Sequence, residues 1–128
     1  MRVDFAESFG ERLGILEAFM LAQDADSAYT RIEHLQDEVL QFVDLVKLHP
    51  KIGRPAGVLA ANSIEGQWRL ERVLRFAVDA GVPELREYVI HAHLVLYAHS
   101  DSRVLMLSIR HQRELGYVQE ASSRHVPI

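Results

Sequence analysis

The chain contains no cysteine. That excludes a disulfide framework and any zinc site built on thiolates. No apolar run approaches the roughly 20 residues that a membrane-spanning helix needs. No secretory leader is expected, because Asp4, Glu7 and Glu11 stand where a basic start and an apolar run would be required. The cytoplasm is therefore the expected location. Lysine is scarce: Lys47 and Lys51 are the only two. Positive charge is not in excess either, with 14 Lys and Arg against 18 Asp and Glu and a formal net charge of −4. A general nucleic-acid binder is usually more basic. No internal repeat or low-complexity segment is evident. What remains is 128 residues, 48% hydrophobic and 25% charged, the make-up of an ordinary soluble protein. The length suits one domain, 1–128, with chain enough for a core.

The charge is spread unevenly. Residues 1–46 hold three arginines (Arg2, Arg12, Arg31) against ten acidic residues. The rest of the chain is net positive. The alternative to a functional asymmetry is a pair of solvated acidic helices.

Hydrophobic periodicity orders the N-terminal half. Residues 1–5 alternate, with Val3 and Phe5 on one face, and predict a short strand. Phe9, Leu13, Leu16 and Met20 recur at helical spacing, which predicts a helix over 7–23, although Gly10 and Gly14 weaken it. The run Asp24-Ala25-Asp26-Ser27 is a turn with a helix-capping signal. Ala28, Ile32, Leu35, Val39, Phe42 and Val46 then form the strongest stripe in the chain. The second helix ends near Leu48, because Pro50 biases His49 away from helix. Two helices with a short turn make a hairpin, and each apolar stripe needs a sheet to cover. Residues 51–62 read as loop. A third helix is expected over 63–80, capped by Ser63. Trp68, Val73, Phe76 and Ala77 form its apolar side, and Gly81, Val82 and Pro83 end it. Its Arg69, Arg72 and Arg75 form a row that at this spacing is more often a solvated face, with a grip for an acidic partner as the other reading. The tail 119–128 lacks periodicity.

Residues 85–117 read as three short strands followed by polar and charged residues. The segment 93–99 is apolar and aromatic, Ser100-Asp101-Ser102 is a turn, and 103–110 is apolar again. Arg110, His111, Arg113 and Tyr117 then arrive within eight positions. Such a cluster can grip phosphate or an acidic partner.

These pieces carry a resemblance. Leu85-Arg86-Glu87, Val95-Leu96-Tyr97, the strand over 104–109 and His111-Gln112-Arg113 resemble the C-terminal half of the RelE/ParE superfamily. Its members are toxins of type II toxin–antitoxin pairs, also called plasmid stabilisation proteins. His49-Pro50-Lys51-Ile52-Gly53-Arg54-Pro55 resembles that family's loop after its helical hairpin. The resemblance covers roughly 1–55 and 83–118. Residues 56–82 fall outside it and look like an insertion. It implies an α+β fold: an N-terminal strand and helical hairpin packed on a small, mainly antiparallel sheet, with an inserted helix before the second strand.

The implied function is that of a growth-inhibiting toxin. It would be closer to the ParE branch, which binds DNA gyrase, and neutralised by a cognate antitoxin. Arg86, Arg110, His111, Arg113, Arg54 and Lys51 are the implied contacts to target or antitoxin. Two of these have a structural alternative: Arg86 as an ion pair with Glu87 or a helix carboxylate, and the Arg110–Arg113 group as caps of the sheet end. The second reading is a ribosome-dependent mRNA endoribonuclease working without metal, with His111, Arg113, Tyr117 and Arg86 as its catalytic set. Such chemistry needs a base, cations for the phosphorane and an acid for the leaving oxygen. Against it, Val89 and Leu94 stand where those enzymes tend to carry arginine. Tyr117 would stack on a base or move a proton, or else serve as a core or antitoxin-contact aromatic. A third reading is a non-toxic interaction module of the same fold. His91 and His93 alternate, with His99 further along, and zinc or nickel needs a third ligand in reach. The expectation is a polar hairpin tip, with neither metal nor cofactor. Expected partners are the antitoxin and either gyrase or the ribosome and its mRNA, with no membrane; a homodimer stays open.

Overall fold

The computed structural model describes residues 1–56 and 64–111, and the side chains within 64–69 are not among them. Chain order is β1 (Arg2–Phe5), α1 (Glu7–Gln23), α2 (Ala25–Leu48), β2 (Arg54–Pro55), α3 (Ile64–Asp79), β3 (Glu84–Ile90), β4 (His93–His99) and β5 (Arg103–His111). The fold class is α+β, with three helices and one five-stranded mixed sheet ordered β1-β5-β4-β3-β2. Only β1 runs parallel to its neighbour, β5; the other pairings are antiparallel.

The helical hairpin forms where the periodicity puts it. Asp24 ends α1 and begins α2, and its carboxylate accepts from the Asp26 N–H (3.1 Å) and the Ser27 hydroxyl (2.9 Å). Those donors hold the Asp24 carboxyl below its ordinary pKa, the Ser27 bond contributing most. The stripes of both helices drop onto one face of the sheet. Phe9, Leu16 and Met20 from α1 and Leu35, Val39, Phe42 and Val46 from α2 bury against Val95, Tyr97, Val104, Met106 and Ile109. On the other face Ala77 of α3 packs with Val82, Ala98, Leu105 and Leu107. Helix α3 ends at Gly81, whose φ of 81° lies in the region glycine favours.

Helix α1 also completes the sheet. Past Ala6, whose N–H donates to the Met106 carbonyl, β1 has no more ladder to offer β5. Ser8 Oγ then donates to the Leu107 carbonyl (2.6 Å) and Arg12 Nε to the Ile109 carbonyl (3.3 Å). Residues 8 and 12 share a helix face, so α1 supplies the donors that a longer strand would have supplied. A bulge re-phases β5: Leu96 pairs with Ser108 but Tyr97 with Met106, leaving Leu107 as the extra residue. Ile109 thereby turns to the side of α1 and α2.

Four details differ from the sequence expectation. The segment read as loop over 51–62 contains the two-residue strand β2, so α3 precedes the third strand in chain order. Phe76 of α3 is 52% exposed, while among the described side chains Val73, Ala77 and the following Ala80 pack on the sheet. Arg110 and His111 belong to β5 and do not follow it. His91 does not share a strand face with His93: it occupies the β3–β4 turn with φ 53°, while His93 is buried in β4. Arg72 and Arg75 are exposed. The Ser63 cap, the Trp68 and Arg69 side chains, and Arg113, Tyr117 and the 119–128 tail lie outside the described residues. Among the described residues no helix is long and apolar enough to cross a membrane.

Candidate partner-binding site

The loop after α2 turns sharply and locks onto the sheet. The His49 N–H closes the last helical turn on the Leu45 carbonyl, and the Ile52 N–H bonds back to the His49 carbonyl. Gly53 then passes so close to the sheet that only glycine fits: a Cβ there would lie 2.8 Å from the Glu87 carbonyl oxygen and 2.8 Å from Tyr97 Oη. Tyr97, wholly buried in β4, reads both ends of the loop. Its hydroxyl accepts from the Gly53 N–H (2.9 Å) and donates to the Pro50 carbonyl (2.7 Å). Burial raises the phenol above its ordinary pKa, outweighing the Gly53 hydrogen bond, so the hydroxyl stays a donor.

Arg86 completes this clamp. Its guanidinium donates to the Gly53 carbonyl (2.8 Å), to His99 Nε2 (2.9 Å) and to Glu84 (3.3 Å). Because His99 Nε2 accepts, its proton sits on Nδ1, 3.2 Å from the Ser100 carbonyl. The carboxylate partner of Arg86 is thus Glu84, not Glu87. Residues 84 and 86 share a strand face and residue 87 points the other way. Glu87 is 5% exposed in its side chain and pairs with Arg54 of β2 (3.0 Å). Arg86 keeps only 18% of its side chain in solvent. It is committed to the fold.

The outer side of the same corner is a different chemistry. Lys47, His49 and Lys51 are exposed. Leu48 is 76% and Ile52 38% exposed. Residues Leu48 to Ile52 line a shallow concavity. Both lysines of the chain and two uncovered aliphatic side chains therefore flank one hollow, with Arg54 alongside. That combination suits a partner presenting acidic and apolar side chains.

Of the remaining candidates, Arg110 and His111 are among the described residues, and they sit at the opposite end of the sheet. His111 pairs in register with His93, and their rings meet edge to face at 5.1 Å. Arg110 lies opposite Leu94, on the other face. The row of Arg86, Tyr97 and Met106 is four residues from the row of Ile90, His93 and His111. That is roughly 13 Å along the strands and about 10 Å across two of them. Arg86 and His111 therefore do not converge on one small group. Around the β3–β4 turn, His34 lies 2.9 Å and His91 4.0 Å from the largely buried Glu38 carboxylate. Among the described residues no three His, Asp or Glu are gathered as a metal ion would require.

Sequence reasoning missed Tyr97 as the organiser of the loop and missed Leu48 and Ile52 as exposed apolar residues. Period-2 alternation was signal enough to pair Arg86 with Glu84 rather than Glu87; nothing local announces Tyr97 reaching residues 50 and 53. No family model matches the chain, and no curated protein matches it.

Proposed function

We propose that this chain is the toxin of a type II toxin–antitoxin pair, acting in the cytoplasm by binding an essential target rather than by cutting RNA. DNA gyrase is the target in the ParE branch it resembles. The order of elements, a strand, a helical hairpin and then a mainly antiparallel sheet, supports the family reading. The observation that carries binding over cleavage is the engagement of Arg86. A cation that neutralises a phosphorane must be free to meet it, and each of the three guanidinium nitrogens of Arg86 is already engaged, on Gly53, His99 and Glu84. Its distance from His111 weakens the nuclease set further. The antitoxin meets the outer corner, with acidic side chains on Lys47, Lys51 and Arg54 and apolar ones on Leu48 and Ile52. Part of it orders on binding.

The test is induced expression, alone and with the neighbouring small reading frame, following protein synthesis and DNA replication separately. Replication arrest with synthesis continuing, relieved by the neighbour, is the expected result. Lys47→Glu with Lys51→Glu keeps toxicity and loses the relief if the corner is the antitoxin's seat. A fast stop in synthesis transfers the reading to the ribonuclease. Unimpaired growth removes both toxin readings and leaves an interaction module.

A further inference from the structure

Helix α1 has an outer face that the fold does not explain. Ile15 is 52%, Phe19 59% and Leu21 41% exposed, and Gly14, Ala18 and Ala22 lie bare among them. Between Arg12 and Gln23 the only charged side chain is Glu17, and Gln36 of α2 engages it at 3.1 Å. The exposed surface of these three turns therefore carries no free charge. A helix apolar on every side is ordinarily covered, and contiguous exposed apolar surface marks an interaction site. Gly14 adds a separate observation. A Cβ there would meet nothing within 4 Å, so among the described residues no contact requires glycine at that position.

The rim around the strip decides the occupant. The first 46 residues hold ten acidic side chains and three arginines. Arg2 pairs with Asp4, and Arg12 reaches the Ile109 carbonyl. Arg31, the third arginine, is exposed and hydrogen-bonds Gln23. Glu7, Glu11, Asp24, Asp26, Glu33 and Asp37 are all exposed. A second copy docked here would set two acidic surfaces together. A partner with basic flanks would not.

We propose that the outer face of α1 docks a basic amphipathic helix from a partner protein. Its apolar seam lies along Ile15 and Phe19, its backbone approaches closely over Gly14 and Ala18, and its Lys or Arg flanks meet the acidic rim. The inference is independent of the toxin reading, which uses the opposite charge at another corner.

The experiment uses two synthetic helices of the length of α1 with one Leu/Ala seam, the first flanked by lysines and the second by glutamates. Binding to the full chain is followed by fluorescence anisotropy near physiological salt. The lysine peptide is expected to bind in the micromolar range and the glutamate peptide about tenfold more weakly or worse. Phe19→Glu adds negative charge yet should weaken the lysine peptide about tenfold, which simple charge attraction would not do. Gly14→Leu should do the same while its melting temperature does not fall, so lost folding cannot account for it. Equal binding of the two peptides, no binding, or an undiminished Phe19→Glu affinity overturns the proposal. A dimer in sedimentation that Phe19→Glu dissolves also overturns it and gives the face to a second copy.

Discussion

Two regions of this molecule break the rule of apolar inside and polar outside in opposite directions. At the corner where α2 meets the sheet, a glutamate, a histidine and a tyrosine hydroxyl are buried and an arginine is largely so. On the outer face of α1, an isoleucine, a phenylalanine and a leucine are exposed. Each departure is informative, but they teach different things. Every buried polar group at the corner has a partner within the fold, so the corner explains itself. Nothing described within the fold explains the α1 face. Function is therefore sought where the internal account fails, on the outer rim of the corner and along α1, and not among the clamped groups.

The sharpest way to break this contrast uses its two glycines. Gly53→Ala forces a Cβ to within 2.8 Å of a strand carbonyl that cannot easily move. Overpacking of this kind costs about 1–3 kcal/mol, and the rigid neighbours put Gly53→Ala near the upper end. Urea unfolding should show a lower midpoint at an unchanged slope. A stability equal to the parent would mean that the loop can lift off the sheet, and the clamp would lose its claim to be structural.

Tyr97→Phe tests the same corner without changing its volume. The Gly53 N–H and the Pro50 carbonyl lose their partner, at a cost of about 1–3 kcal/mol. The pH dependence supplies a second reading. The folded-state pKa of Tyr97 is raised above 10.0 while the unfolded phenol ionises at its ordinary value. Its contribution is present in full below 10.0 and is lost as pH rises through the folded value. Alkaline destabilisation should accordingly be shallower in Tyr97→Phe than in the parent.

Gly14→Ala should move stability the other way. Glycine in a helix interior costs roughly 0.8–1.0 kcal/mol relative to alanine, and the added methyl meets nothing. A rise in the thermal midpoint is expected, with the opposite sign from Gly53→Ala. A fall would mean that an interior contact at position 14 exists, and the case for an external partner on α1 would weaken.

Much of this architecture was legible in advance, and the parts that were not share a cause. The α2 stripe predicted its burial because a long helix repeats its signal at Leu35, Val39, Phe42 and Val46. Strand β2 was invisible because two residues, Arg54 and Pro55, have no period to show. The bulge at Leu107 was invisible because Val104 to Leu107 are all apolar, with no alternation for a bulge to interrupt. At the candidate site, the loop motif over 49–55 and the importance of Arg86 could be read, but not what Arg86 does. Its partners Gly53 and His99 are set by β-sheet register between segments far apart in sequence. Exposure was the least legible property of all. Leu48, Ile52 and Phe19 belong by type to a core, and only the direction of a helix face, or for Ile52 of the loop, turns them outward.

The smallest effect expected concerns Asp24, the residue shared by both helix ends, and it bears on whether the α1 face is held in a fixed orientation. Hydrogen bonds from Ser27 and the Asp26 N–H hold its carboxyl below the ordinary 3.8. A carboxylate with a depressed folded pKa stabilises the fold above its unfolded pKa, and the contribution is lost as pH falls through the lower, folded value. Asp24→Asn keeps a side-chain oxygen to accept those bonds but cannot titrate. The parent should therefore be the more stable near neutral pH, and the difference should shrink below 3.8 as the parent's carboxyl protonates. If the two proteins keep a constant difference through the acid range, the Asp24 charge contributes nothing to the hairpin. The junction would then rest on the cap's hydrogen bonds and the packing of Met20 and Ala28, and the angle at which α1 presents Ile15 and Phe19 would not depend on the charge of the cap.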